Sequence, residues 1–203
     1  MDRNKIYFER TKYKDVNNYT RYFYEKYKPD IGRVVDLGCG TGCDTEFFIR
    51  HGFYVLSIDS DVRAESFLEN RISNSPELFD YFRFQEQKFE TLKLEKNSFD
   101  FVIAHNSLSY CEKKDFYNMW NTIKESIVLN GYFVGNFFGI EHDYNSNPNY
   151  KKATFLNEKE VLELFLYDFE ILEFNNPISK KKKTAFAHTL WNEYLVIAKK
   201  ISE

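Results

Sequence analysis

Cysteines, long apolar runs and an excess of either charge are what this chain has little of. Three cysteines, an odd number, build no disulfide framework in 203 residues. No apolar stretch reaches the roughly 20 residues that cross a bilayer. The start, Met1-Asp2-Arg3-Asn4-Lys5, has no signal-peptide core. The expected setting is cytoplasmic, with no membrane partner. A net charge of -3 gives no broad basic face, so nucleic acid is not an expected partner. The four histidines are 51, 105, 142 and 188, and none stands at a metal-ligand spacing from a cysteine or carboxylate. Cys39 and Cys43 lie four apart inside a glycine-rich turn, where a metal would compete with any ligand of that turn. No metal is expected.

What is there is a full globular core. Hydrophobic residues make up 43% and aromatics 19%, which argues against disorder and for an aromatic-rich interior and pocket. The length suits one domain, read as spanning residues 1–203. Residues 1–30 are read as an N-terminal lid and helix, in which 1–15 form a lid or loose tail and Val16 to Lys28 a helix with Tyr19, Tyr22, Phe23 and Tyr27 near helical spacing.

The rest is organised around Val34-Val35-Asp36-Leu37-Gly38-Cys39-Gly40-Thr41-Gly42-Cys43-Asp44. Val34, Val35 and Leu37 suit a buried strand. Gly38, Gly40 and Gly42 allow a tight turn and bring bare backbone close to a ligand. A helix, Asp44 to His51, follows. This is the opening of a Rossmann-like sheet, whose ligands sit beyond the carboxyl ends of the strands. Dinucleotide binding wants glycines at relative positions one, three and six; here Cys43 takes the sixth, so a nicotinamide cofactor fits poorly. Asp59 ends the next strand, Phe53 to Ile58, at the distance of a carboxylate that grips ribose hydroxyls.

Strands then alternate with helices: a helix from Asp61 to Ile72, strands at Tyr81–Gln85 and Phe99–Ala104, a helix from Lys113 to Val128, a turn at Asn130-Gly131 and a strand from Tyr132 to Phe138. Such alternation means parallel strands with right-handed crossovers. Residues 140–153 read as an irregular loop near the acceptor site. Asn157 with Glu160 forms a capping box for a helix through Phe165. Phe169 to Phe174 is a half-buried strand, Asn175 to Lys183 a polar loop, and Trp191 to Ala198 the last strand, an antiparallel closing of the sheet edge. Lys180 to Lys183 reads as a solvated hairpin tip.

The acidic-x-Gly-x-Gly-x-Gly pattern of Asp36 to Gly42 resembles motif I of class I S-adenosylmethionine (SAM) methyltransferases. Gly52-Phe53 through Asp59, Ser98 through Ile103, Ser107-Leu108-Ser109-Tyr110-Cys111, Gly131 through Val134, Thr154-Phe155-Leu156 and Trp191 extend the likeness to the small, tellurite-resistance-type members. The resemblance implies a seven-stranded, mostly parallel Rossmann-like α/β sheet with helices on both faces and an antiparallel C-terminal strand. It implies SAM as cofactor, S-adenosylhomocysteine (SAH) as product, and methyl transfer to a small-molecule acceptor by in-line displacement. Backbone at Gly38, Cys39 and Gly40 would lie along the methionine half. Asp36 would organise the loop and help hold the amino group. Asp59 would accept from the ribose hydroxyls, Ser60 would lie beside the adenine, Gln87, Lys88 and Phe89 would flank it, and the His105 carbonyl would meet the methionine amino group.

The chain departs from that pattern in places. Lys88 stands where relatives often carry an acid that accepts from the adenine amine, and lysine only donates. Leu190 and Asn192 stand where relatives have histidines beside the tryptophan. Asn130 replaces a common turn proline. No catalytic residue is named by the sequence. His142 and Asp143, in the 140–153 loop, are the candidates for a general base, against the alternative of a solvated loop. The competing reading is a SAM-binding sensor or partner subunit without transferase activity.

Overall fold

In the computed structural model, which describes residues 2–176, 179–183 and 188–202, the chain builds a seven-stranded sheet. In order of first appearance the elements that matter are α1 (Arg3–Thr11), α2 (Asn18–Tyr27), β1 (Arg33–Leu37), α3 (Cys43–Arg50), β2 (Tyr54–Asp59), α4 (Arg63–Ile72), β3 (Phe82–Glu86), β4 (Phe99–Ala104), α5 (Lys113–Ser126), β5 (Ile127–Phe138), α6 (Glu158–Phe165), β6 (Phe169–Asn175), β7 (Ser179–Lys183), β8 (His188–Trp191) and β9 (Glu193–Lys200). The sheet order is β3-β2-β1-β4-β5-β9-β6. β1 pairs in parallel with β2 and β4, and β4 with β5. β9 runs antiparallel between β5 and β6. The expected Rossmann-like sheet with an antiparallel C-terminal strand is therefore present.

Two apolar layers hold it. On one face Trp120, Phe116 and Ile123 of α5 pack with Phe133, Phe137 and Phe165. The Trp120 indole donates to the Leu164 carbonyl at 2.8 Å, tying α5 to α6. On the other face Phe23 of α2, Phe48 of α3 and Leu68 of α4 cover Val34, Phe101 and Val134. β1 is buried from Val34 onward because both faces carry helices. The capping box forms as expected: Asn157 accepts from the Glu160 amide at 2.9 Å and Glu160 from the Asn157 amide at 2.7 Å. No helix among the described residues is long and apolar enough to cross a membrane.

Several expectations need correction. The N-terminal segment is an ordered helix. Asp2 caps α1, Arg63 binds Asp2 at 2.6 Å, and Phe8 stacks on Phe67 at 5.0 Å. α2 starts two residues later than expected, where the Asn17 side chain accepts from Tyr19. β5 has twelve residues and begins at Ile127, so Asn130-Gly131 makes no hairpin-like break. Pairing of Phe99 with Ile127 keeps the strand running, with a register shift before Phe101, and Asn130 absorbs the irregularity at φ 68°. The polar segment after Asn175 contains β7, which pairs with β8. The last strand is thus two, separated at Asn192. The side chains of Lys180 to Lys183 lie outside the description, as does that of His188.

Candidate functional site

Strand order reverses between β1 and β4, since β1 leads outward to β2 and β4 outward to β5. Loops leaving two such strands diverge and open a crevice at their carboxyl ends. A cleft of about 1570 Å³ occupies that place. Typical small-molecule sites are about 300–1,000 Å³, so there is room for two molecules side by side.

The floor is the turn after β1. Gly38, Gly40 and Gly42 have φ of +74°, +55° and +75°, a region costly for residues with a Cβ. A Cβ on Gly38 would fall 2.4 Å from the Ser107 Cβ. The turn is pinned from below: Gly38 and Cys39 amides donate to the Ile58 carbonyl at 2.7 and 3.0 Å. Asp59, at the end of β2, accepts from the Gly40 amide at 2.9 Å and from the Asp61 amide at 3.0 Å. Burial raises the Asp59 carboxyl above its usual value, against the Asp61, Gly40 and Ser60 amides that lower it. Each carboxylate oxygen has two acceptor directions, so Asp59 can accept further donors from the cleft.

Of the residues singled out in the sequence, Gly38, Gly40, Asp59, Ser60, Gln87, Lys88, Phe89 and His105 line this one cleft. Asp36 lies behind the turn. It accepts from the Thr45 hydroxyl at 2.7 Å, and that hydroxyl also contacts Ser57 at 2.8 Å. Burial, and then the neighbouring Asp44, push its carboxyl well up. The Cys39 side chain packs with Phe8 and Ala64. His142 does not line the cleft. It is 1% exposed, ringed by Phe138, Tyr144 and Trp191 with ring centres each 4.6 Å away, and its Nδ1 accepts from the Tyr144 amide at 3.1 Å. Burial lowers its pKa to about 4. Asp143 accepts from the Leu190 amide at 2.7 Å, holding the 140–153 loop to β8.

Other groups reach the cleft that the sequence did not single out. α1 lies across the opening and contributes Arg3, Tyr7 and Thr11. The Tyr7 ring and hydroxyl come within 3.2 Å of where a Gly40 Cβ would be. Also lining the cleft, Asn136 of β5 donates to Glu193 at 2.7 Å and to the Asn106 side chain at 3.0 Å, and accepts from the Asn106 amide at 2.6 Å. The available signal was a polar residue inside each of two apolar strands, but only the register brings Asn136 and Glu193 together as diagonal neighbours.

Ser107 Oγ and His105 Nδ1, on residues lining the cleft, are buried polar atoms with no partner within the protein. His105 Nε2 meets the Thr20 hydroxyl at 2.8 Å, and burial holds its imidazole below the usual value. Buried polar groups lose free energy when unpaired, so these two call for a ligand. With the crowded glycine turn and Asp59, they fit an adenosine joined to an amino acid, which offers ribose hydroxyls, an amino group and a carboxylate. Among the described residues no cluster of metal-ligating side chains occurs.

Residues 34–131 match the family model described as "Methyltransferase domain". The chain is 24% identical over 170 residues to YqeM of Bacillus subtilis, a protein named only provisionally as a methyltransferase; the match covers 81% of this chain and 64% of that one. The chain thus spans less than two thirds of the curated relative's length. Among solved structures it resembles TehB of Haemophilus influenzae, at 18% identity and TM-score 0.68 over 89% of this chain and 66% of that one. It also resembles the N-methyltransferase NodS of Bradyrhizobium japonicum, solved with SAH, at 13% identity and TM-score 0.68 over 99% of this chain and 100% of that one. At such identities these likenesses establish the fold alone.

Proposed function

We propose that the protein is a class I SAM-dependent methyltransferase, a single domain over residues 1–203, that methylates a small-molecule acceptor. One observation carries the reading. The glycine turn, Asp59 and the unpartnered Ser107 Oγ and His105 Nδ1 share one cleft, in a chain whose residues 34–131 match a methyltransferase-domain model.

SAM, when bound, supplies a methyl group already activated on a sulfonium. The chain's own work is then to bind, orient and exclude water. Backbone at Gly38, Cys39 and Gly40 would hold the methionine portion, and the His105 carbonyl its amino group. Asp36 acts from behind, fixing the turn through Thr45. Asp59 would accept from the ribose, and Ser60, Gln87, Lys88 and Phe89 would border the adenine. α1 covers the opening and limits water entry. His142 and Asp143, packed against Trp191 and bonded to β8 respectively, serve the shape of the acceptor wall. The tellurite-resistance-type subgroup is the finer reading, supported by the TehB likeness, and a cytoplasmic setting goes with it.

A SAM-binding sensor is the second reading, favoured by Lys88, a donor-only residue on the cleft rim. Incubation with methyl-labelled SAM and a panel of small amines, thiols, phenols and carboxylates separates the two. Label on an acceptor with matching SAH release is the expected result. Tight SAM binding with no turnover on any class of acceptor would favour the sensor.

A further inference from the structure

The acceptor half of the cleft has a chemistry of its own. The most buried charged residue lining the cleft is Glu193, 4% exposed. Asn136, itself 1% exposed, donates to Glu193 at 2.7 Å and is locked by its two hydrogen bonds to Asn106. The carboxylate is thereby held in a fixed orientation at the cleft wall. The same cleft is also lined by aromatic side chains, Tyr19, Tyr110, Tyr144 and Trp191. The basic residues of the cleft, Arg3, Lys14 and Lys88, lie at its exposed rim together with Asp15 and Glu90. Arg3 already places its guanidinium 4.9 Å over the Tyr150 ring, so an aromatic face of this cleft takes a cation.

A buried carboxylate acts in opposite directions on different nucleophiles. It repels an anionic oxygen or sulfur entering the site. It attracts an N–H group and stabilises the positive charge that grows on nitrogen during methylation. Aromatic faces add cation–π attraction to the same charge. Resting on the methyltransferase reading, we infer that the acceptor is an amine or other N–H nitrogen nucleophile seated against Glu193. The nitrogen lone pair forms the new N–C bond as the C–S bond breaks, and the electrons of that bond stay on sulfur, which becomes a neutral thioether. The nitrogen carries the positive charge until its proton passes to Glu193 or to water.

The test is equilibrium binding, read by ligand-observed NMR on SAH-saturated protein. The three probes share one shape: 2-phenylethylammonium, 2-phenylethanol and 3-phenylpropionate. The cation should bind at least about tenfold tighter than the anion and several-fold tighter than the alcohol, the scale of one partly desolvated charge pair. In Glu193→Gln the preference should vanish while SAH affinity stays within about twofold, since the substitution keeps the side-chain volume and Glu193 makes none of the contacts assigned to SAH. Equal or reversed ranking in the wild type, no detectable cation binding at millimolar concentration, or a preference that survives in a folded Glu193→Gln overturns the inference. Should the variant not fold, the wild-type ranking decides alone. If SAH itself fails to bind, the methyltransferase reading falls, and the same ranking without SAH still reports on the Glu193 site.

Discussion

Acidification should expose what His142 does. The ring is enclosed by Phe138, Tyr144 and Trp191, and its Nδ1 is committed as an acceptor to the Tyr144 amide. Protonation would force a second donor against that amide and place a charge among aromatic rings. Burial lowers the folded-state pKa from 6.5 to about 4. A group with a depressed folded pKa contributes stability that is present above its unfolded value and is lost as the pH falls. The window therefore runs from pH 6.5 down to about 4. At about 1.36 kcal/mol for each pH unit, it corresponds to about 3 kcal/mol. His142→Asn keeps an acceptor for the Tyr144 amide, as an Asx turn does, and cannot take up a proton here. Urea unfolding of both proteins should show the variant less stable at pH 7, through lost ring packing, and the difference shrinking by about 3 kcal/mol toward pH 4. Parallel curves for the two proteins across that window would refute the reasoning. Loss of turnover at pH 7 with the stability curves unchanged would return His142 to the role of a base.

Gly38→Ala should weaken SAH binding at least about tenfold by calorimetry, because its Cβ meets Ser107 at 2.4 Å in a left-handed conformation that itself costs about 1–2 kcal/mol. Asp36→Asn should keep the Thr45 hydroxyl as a donor and remove a carboxyl that burial and Asp44 push up. A raised acid destabilises the fold as pH climbs from its unfolded to its folded value, so the variant's melting temperature should gain on the wild type from about pH 4 to about pH 8. Trp120→Phe removes the 2.8 Å bond to the Leu164 carbonyl and leaves that buried acceptor unpaired, which should cost about 1–3 kcal/mol in urea unfolding.

The site's floor was legible in the sequence because its physics is local. Three glycines at alternate positions between an apolar run and a helix dictate the turn, and Asp59 follows at a spacing set by one strand-helix-strand unit. The capping box at Asn157 and Glu160 was legible for the same reason. What stayed hidden depends on tertiary partners. α1 has little apolar periodicity and owes its place to Phe67, Arg63 and Asp61. Asn130-Gly131 carries a strong turn signal, yet pairing with β4 carries β5 through it. The lysine-rich run gives no strand signal, although its backbone pairs with β8. Glu193 and Asn136 stand far apart in sequence, and only the β5–β9 register joins them. His142 had the residue type of a base, and only the packing shows its ring enclosed.

The central claim is that the glycine turn and Asp59 hold SAM. Calorimetric titration with SAM, SAH and NADH, on the wild type and on Asp59→Ala, tests it most directly. Micromolar binding of SAM and SAH is predicted, with none for NADH, and a loss of about 10–100-fold in the variant, the worth of a hydrogen bond to a charged group. No binding of SAM or SAH, or binding unchanged by Asp59→Ala, would contradict the account.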